Sequence, residues 1–264
     1  MSYLYETHLH SMESSLCAKT SAADYPAYYK AAGFDGIFLT DHFYRGNHRF
    51  DLDLPWEDFV RNFCHSYEVA KAAGDAIGMP VFFGFEERFD LDEYLIYGID
   101  RDFLLAHPEL ATLPRAEYLA LVRAAGGMVI QAHPMREYKY STEIHLPVDS
   151  VDGYEGWNGG TKLPQNLRAN ALAWHLDKPM TAGGDRHCLG DKYPFYGIET
   201  ETPITCVADY IEIVKSRAFT IHGTTPTTEG VDAPTLPVRV YDLFGKAYSP
   251  TRAMQRLPAV FFKK

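Results

Sequence analysis

The chain has no run of eighteen consecutive apolar residues, so nothing in it reads as a membrane-spanning helix. It also lacks a basic stretch followed by an apolar core at its start, so a cleaved targeting segment is not expected. Its four cysteines, Cys17, Cys64, Cys188 and Cys206, are scattered without a CxxC spacing. They read as reduced thiols of a cytoplasmic protein, not as a disulfide framework. No strand-to-helix turn carries GxGxxG or GxxxxGKS/T, so nucleotide-fold fingerprints are missing. Basic residues are few and dispersed: 25 Lys and Arg face 35 Asp and Glu, a net charge of −10. That balance argues against extended nucleic acid as a partner, because such proteins gather a basic face. A short anionic substrate is still admissible, since a few local cations suffice for one phosphate.

What is present is a regular alternation. The length of 264 residues and the 46% hydrophobic content suit one α/β barrel with a large core. Apolar, β-rich runs recur as YLYETH, GIFLTDH, PVFFGFEE, EYLIYGID, GMVIQAHP, VDGYEGWN, PMTAGGDRH and AFTIHG. Helix-like stretches lie between several of them, at 21–32, 56–76, 115–125, 164–176 and 207–216. Ser21 is a reasonable N-cap and Gly33 a reasonable C-cap for the first. Such alternation predicts a mostly parallel sheet closed into a distorted barrel. Residues 1–223 would form it. Residues 224–264, rich in proline, read as an irregular extension packed on the barrel, with a strand at 238–241.

The polar residues fall at the ends of these runs. His8 and His10 share one strand face, because residues two apart project together. Asp41-His42, Glu86, His133 and Asp185 with His187 then close four later strands. In a parallel barrel those ends form one rim, where residues distant in sequence converge. Each alone has a bland explanation; five in turn point to a metal site.

The ordered set HxH, TDH, a Glu shortly after Gly84, AHP and GDxH resembles the PHP (polymerase and histidinol phosphatase) family over residues 3–222. That resemblance implies a distorted (β/α)7 barrel and metal-dependent hydrolysis of phosphate esters. It also implies a ligand set. His8, His10, Glu86 and Asp185 would hold one ion, with Glu86 bridging to a second held by His133. Asp41, His42 and His187 would serve a neighbouring position and the catalytic chemistry, with His42 or His187 as proton donor. Glu6, two residues before the HxH, would support it. Barrel amidohydrolases also open with HxH, but they use a lysine at a middle strand end, where this chain has Glu86.

Two departures from the trinuclear pattern stand out. The extra histidine expected after HxH is absent from SMESSLCAK, where Glu13, Ser15 and Cys17 are the substitutes. Tyr94 in DEYLIYG stands where another histidine is expected, with Glu93 beside it. Two divalent ions, with a weaker third position, are therefore expected. Imidazole and carboxylate together suit zinc, manganese or iron.

For the substrate phosphate, Arg136, Lys19 and Arg186 are the candidate cations. Glu155 and Asn158 are expected on the substrate side of the rim. The leading expectation is a metal-dependent phosphoesterase acting on a small phosphorylated metabolite, without membrane attachment. The alternatives are a metal hydrolase for amides or lactones and a catalytically decayed metal-binding scaffold.

Overall fold

A computed structural model describes residues 1–137, 143–190, 194–223, 239–242 and 247–248. Strand β1 (Tyr3–Glu6) leads into a helical turn and α1 (Tyr25–Ala31). Ser21 starts that segment, its hydroxyl accepting from the Ala23 N–H at 3.3 Å. Gly33 ends it at φ +90°, a conformation that a side chain would strain. There follow β2 (Gly36–Leu39), α2 (Trp56–Ile77), β3 (Val81–Phe89), β4 (Asp92–Tyr97), α3 (Arg101–Ala106) and α4 (Arg115–Ala124). Next come β5 (Met128–Ala132), β6 (Glu143–Leu146), β7 (Gly153–Asn158), α5 (Leu163–His175) and β8 (Met180–Gly183). The described chain ends with β9 (Gly197–Thr200), α6 (Val207–Ser216), β10 (Phe219–His222), β11 (Arg239–Asp242) and β12 (Ala247–Tyr248).

Nine strands form one sheet in the order β10-β9-β1-β2-β3-β4-β5-β7-β8. The two edges of its core return to each other just beyond β1 and β8. Leu9 and Arg186 form a parallel bridge, the Asp185 N–H donates to the His8 carbonyl at 2.8 Å, and the His10 N–H donates to the Arg186 carbonyl at 3.1 Å. The result is a nearly closed barrel with helices alongside, as the alternation predicts.

Strict alternation fails in two places. EYLIYGID is not a parallel strand: β4 runs antiparallel to both β3 and β5, reached by a tight turn through Asp90 at φ +57°. Strand β9, only four residues long, pairs antiparallel with β1 and with β10. Such a short segment carries little periodicity to read. In the C-terminal segment, β11 overlaps the predicted strand and pairs in parallel with β6. β12 pairs antiparallel with β11, and the rest of the expected extension lies outside the described residues.

Alternate strand residues fill the barrel. Tyr5, Phe38, Phe82, Leu95, Tyr97, Ile130 and Ile198 meet inside it, closed below by Tyr210, Ile213 and Val214 of α6. The opposite strand faces, with Phe85, Tyr94, Ile96 and Val129, pack against the helices. Burying so many aromatic rings makes a rigid frame for the rim. Among the described residues no helix is long and apolar enough to cross a membrane.

Candidate metal centre

His8 and His10 leave β1 side by side and are fully buried. Their Nε2 atoms face each other at 3.0 Å. Each ring is oriented from behind. The His8 Nδ1–H donates to Glu155 Oε1 at 2.9 Å, and His10 Nδ1 lies 3.3 Å from Ser15 Oγ. His187 Nδ1–H likewise donates to the Asp185 carbonyl at 2.8 Å. These partners occupy Nδ1 and leave Nε2 as the free lone pair, the arrangement of metal-binding histidines.

Among the described residues the donor atoms fall into three groups, each within 4.8 Å: His8, His10 and Asp185; His42, Glu86 and Glu93; His10, His42 and His187. Glu86 stands between the first two. Its Oε1 is 3.3 Å from the Nε2 atoms of both His8 and His133, and its Oε2 is 3.4 Å from His10 Nε2 and 2.8 Å from His42 Nδ1. His133 Nε2 also lies 3.4 Å from Glu93. His133 and Asp185 hold positive φ values of +28° and +48°. Strain of this kind at non-glycine residues collects at functional sites.

The charge balance of this rim calls for a cation. Six carboxylates, those of Glu6, Asp41, Glu86, Glu93, Glu155 and Asp185, are buried in it. Buried charges need paired partners. Burial pushes Glu86 up, but His8 and His42 outweigh it and hold it well below the usual carboxylate range. Burial likewise raises Asp185, while Arg136 and His8 hold it well below. Burial, then His42 and His187, keep His10 well below the ordinary imidazole value and therefore neutral. His42 Nδ1 and Glu86 Oε2 are buried and pair with each other at 2.8 Å. Imidazole and carboxylate donors crowded together in this way fit divalent cations.

Of the expected ligands, His8, His10, His42, Glu86, His133, Asp185 and His187 converge here. Asp41 is placed differently. Its carboxylate accepts from the Ser11 N–H and hydroxyl at 2.6 Å each and from the Ser15 hydroxyl at 2.7 Å, and it joins none of the three groups. It acts through Ser15, which also accepts from the His42 N–H at 3.1 Å. Glu6 accepts from the N–H groups of His8 (2.9 Å) and Gly184 (2.7 Å), tying the first and last rim segments together. Burial pushes its carboxyl up to about 7, against the hydrogen bonds from Gly184 and His8.

The substrate-side residues divide. Lys19 and Arg136 line a cavity of about 360 Å³ with Cys17, Gly160, Asp185, His187 and Cys188. Arg136 also donates to Asp185 Oδ2 at 2.5 Å and to Asn158 Oδ1 at 2.8 Å. Glu155 and Asn158 sit behind the ligands, fully buried: Glu155 Oε2 accepts from the His133 N–H at 3.0 Å and from Asn158 at 2.8 Å. Arg186 points away from the cavity. Its guanidinium lies over Phe195 at 4.6 Å and Tyr28 at 5.4 Å and donates to the Gly190 carbonyl at 2.6 Å. A strand residue between Asp185 and His187 turns to the opposite face.

Two participants were less visible in the sequence. Glu93 shares the inner face of β4 with Leu95 and Tyr97, whereas Tyr94 packs outside. The period-two pattern of that strand is the signal that marks it. Cys17 reaches the rim from the loop after β1. Burial pushes its thiol up, but hydrogen bonds with His187 and His42 outweigh this and bring it down to about 6. His222 lies against Phe34 and joins none of the donor groups found among the described residues.

No family model and no curated protein matches the sequence. Solved structures match the fold. A two-domain protein containing a predicted PHP-like metal-dependent phosphoesterase, from Bacteroides vulgatus, superposes with a TM-score of 0.59 at 14% identity, over 84% of this chain and 65% of that one. The lesion-specific endonuclease PfuEndoQ of Pyrococcus furiosus gives 0.50 at 12% identity, over 84% and 58%. This chain thus spans less than two thirds of either neighbour's length. An amidohydrolase from Chromobacterium violaceum gives 0.47 at 14% identity, over 82% and 97%. The barrel is the PHP-like fold that the motif order resembles. The expectation that excludes extended nucleic acid finds no support here, since one neighbour is an endonuclease.

Proposed function

We propose that this chain hydrolyses phosphate esters of small molecules with the help of divalent cations. His8, His10, Asp185 and Glu86 would hold one ion, and Glu86, His42, Glu93 and His133 a second. When bound, such ions activate water for attack and neutralise charge on phosphoryl oxygens. The protein's own residues supply position and complementarity. The observation that carries the reading is the pairing of Lys19 and Arg136 at a cavity walled by Asp185 and His187. That combination offers cations for phosphate beside the donor cluster. The volume of about 360 Å³ suits a small ester, within the lower range of ligand pockets.

Asn158 and Thr161 steady Arg136, which donates to both side chains. A pre-aimed guanidinium loses less freedom on binding. His42 and His187, the expected proton donors, belong to a donor group with His10. Either is placed both to hold a cation and to deliver the proton that the leaving oxygen needs.

The test is a substrate panel with purified protein and Mn²⁺ or Zn²⁺, spanning phosphomonoesters, cyclic and linear phosphodiesters, short DNA, amides and lactones. Release of phosphate from small esters, abolished by a chelator, is expected. Turnover confined to amides or lactones would contradict the reading. Cleavage confined to DNA would move the substrate from metabolite to nucleic acid.

A further inference from the structure

We propose that Asn166 of α5 is a positioning residue: it grips a bulged end of β7 that turns Asn158 to the rim, and Asn158 with Thr161 aims Arg136 at substrate phosphate. The inference rests on the phosphoesterase reading and adds the element that sets its anion contact. A helix packed on a core ordinarily buries an apolar stripe. The inner face of α5 instead buries Gln165, Asn166, Arg168 and Asn170. Buried polar groups call for partners, and here three of the four hold the strand ends beside the site.

Strand β7 carries one residue more than its neighbour. Glu155 pairs with Thr181 of β8 and Trp157 with Ala182, so Gly156 is the extra residue. In an unbroken strand Glu155 and Trp157 would share a face and Asn158 would take the other. The extra residue reverses this, and the Asn158 amide reaches Glu155 Oε2 at 2.8 Å. Bulges re-aim side chains in this way beside active sites. Two asparagines of α5 hold the bulged segment. Asn170 Nδ2 donates to the Gly156 carbonyl at 2.5 Å. Asn166 takes both backbone groups of Asn158, accepting from its N–H at 3.2 Å and donating to its carbonyl at 3.0 Å. Pairing of β7 with β5 stops at Tyr154, so this side-chain amide stands in for a neighbouring strand.

Asn158 Oδ1 becomes a hub. It accepts from the Gly160 N–H at 2.9 Å, from Arg136 Nη2 at 2.8 Å and from the Thr161 hydroxyl at 3.0 Å. Thr161 Oγ1 in turn accepts from Arg136 Nε at 3.0 Å and Nη2 at 2.8 Å. Arg168 adds to the grip by pairing with Glu137, the residue after Arg136. A guanidinium that the hub no longer holds must be ordered when phosphate binds, and that ordering costs affinity.

The experiment follows p-nitrophenyl phosphate hydrolysis at saturating Mn²⁺ for the full chain, Asn166→Ala, Arg136→Ala and the double variant. Asn166→Ala should raise KM about tenfold, the scale of one hydrogen bond to a charged group, with kcat held within about twofold. In the Arg136→Ala background the same substitution should move KM by less than about twofold, because the residue it aims is gone. An Asn166 effect that persists undiminished without Arg136, or a fall in kcat with KM unchanged, would overturn the proposal and leave the phosphoesterase reading intact. An unaltered chain that hydrolyses neither this ester nor any small ester of the panel overturns both. Two further variants keep the test decisive should Asn166→Ala fail to fold. Asn166→Asp keeps the shape but loses the donor to the Asn158 carbonyl, and an unchanged KM in it overturns the proposal. Thr161→Val should raise KM and Thr161→Ser should rescue it; equal KM values in these two also overturn it.

Discussion

Glu155 Oε1 lies 2.9 Å from His8 Nδ1, and neither residue is exposed. The other carboxylate oxygen accepts from the His133 N–H and from Asn158 Nδ2. One buried side chain thus aims a histidine of the first donor group and the backbone of a histidine of the second. Three N–H donors converge on two oxygens, and only a carboxylate satisfies them all. Glu155→Gln should therefore lower metal affinity about 10–100-fold, the usual cost of disturbing a histidine's outer partner. Chelator competition measures it, and an unchanged affinity would show that His8 needs no such support.

Glu93 should matter to metal content where its neighbour Tyr94 does not. Glu93→Gln removes a charged donor from the group with His42 and Glu86. Elemental analysis after dialysis should find about one ion fewer per chain, as expected for losing one of a pair. Tyr94→Phe, outside the barrel wall, should leave the count unchanged.

Arg186 tests the frame behind the site. Its guanidinium sits between Phe195 and Tyr28, and its backbone pairs with Leu9. Arg186→Met keeps much of the volume but loses the cation over the rings, at a cost of about 2 kcal/mol when desolvated. Urea unfolding should register that loss. A KM for phosphate ester that rose with stability unchanged would instead place Arg186 at the substrate.

The His145–Asp92 pair carries a pH signature away from the donor cluster. The hydrogen bond to Asp92, 3.1 Å from His145 Nδ1, raises the imidazole above its ordinary value. The protonated form is favoured in the folded state. Its contribution is therefore full below about 6.5, the unfolded value, and fades as pH rises through the raised folded value. The pair is partly exposed, so about 0.2–1 kcal/mol is at stake. The stability gap between the unaltered protein and His145→Gln should shrink from pH 5.5 to pH 8.5; a gap that widened would reverse the sign.

Much of the barrel was legible because its signals are local. The α6 segment carries strong periodicity, and its boundaries match the pattern over 207–216. The convergence of the candidate donors was legible for a topological reason: parallel strands end on one rim, so His8, His133 and Asp185 had to meet. What escaped depends on long-range pairing. Nothing local in EYLIYG says that β4 runs antiparallel, yet that direction and its register decide that Glu93 faces inward. Asp41 and Glu155 share a similar limit. Both are acids near ligands, and only the placement of Ser11, Ser15 and the His8 ring shows that they orient donors.

The most direct test of the account is a metal titration of chelator-stripped protein with phosphate release followed in parallel, for the unaltered chain and for Glu86→Gln. Glu86 touches both main donor groups, so one substitution should weaken both. The account predicts no release before metal, saturation near about two equivalents as for paired-ion sites, and loss of both tight binding and release in Glu86→Gln. Phosphate release independent of added metal, or two ions bound as tightly by Glu86→Gln as by the unaltered chain, would contradict it.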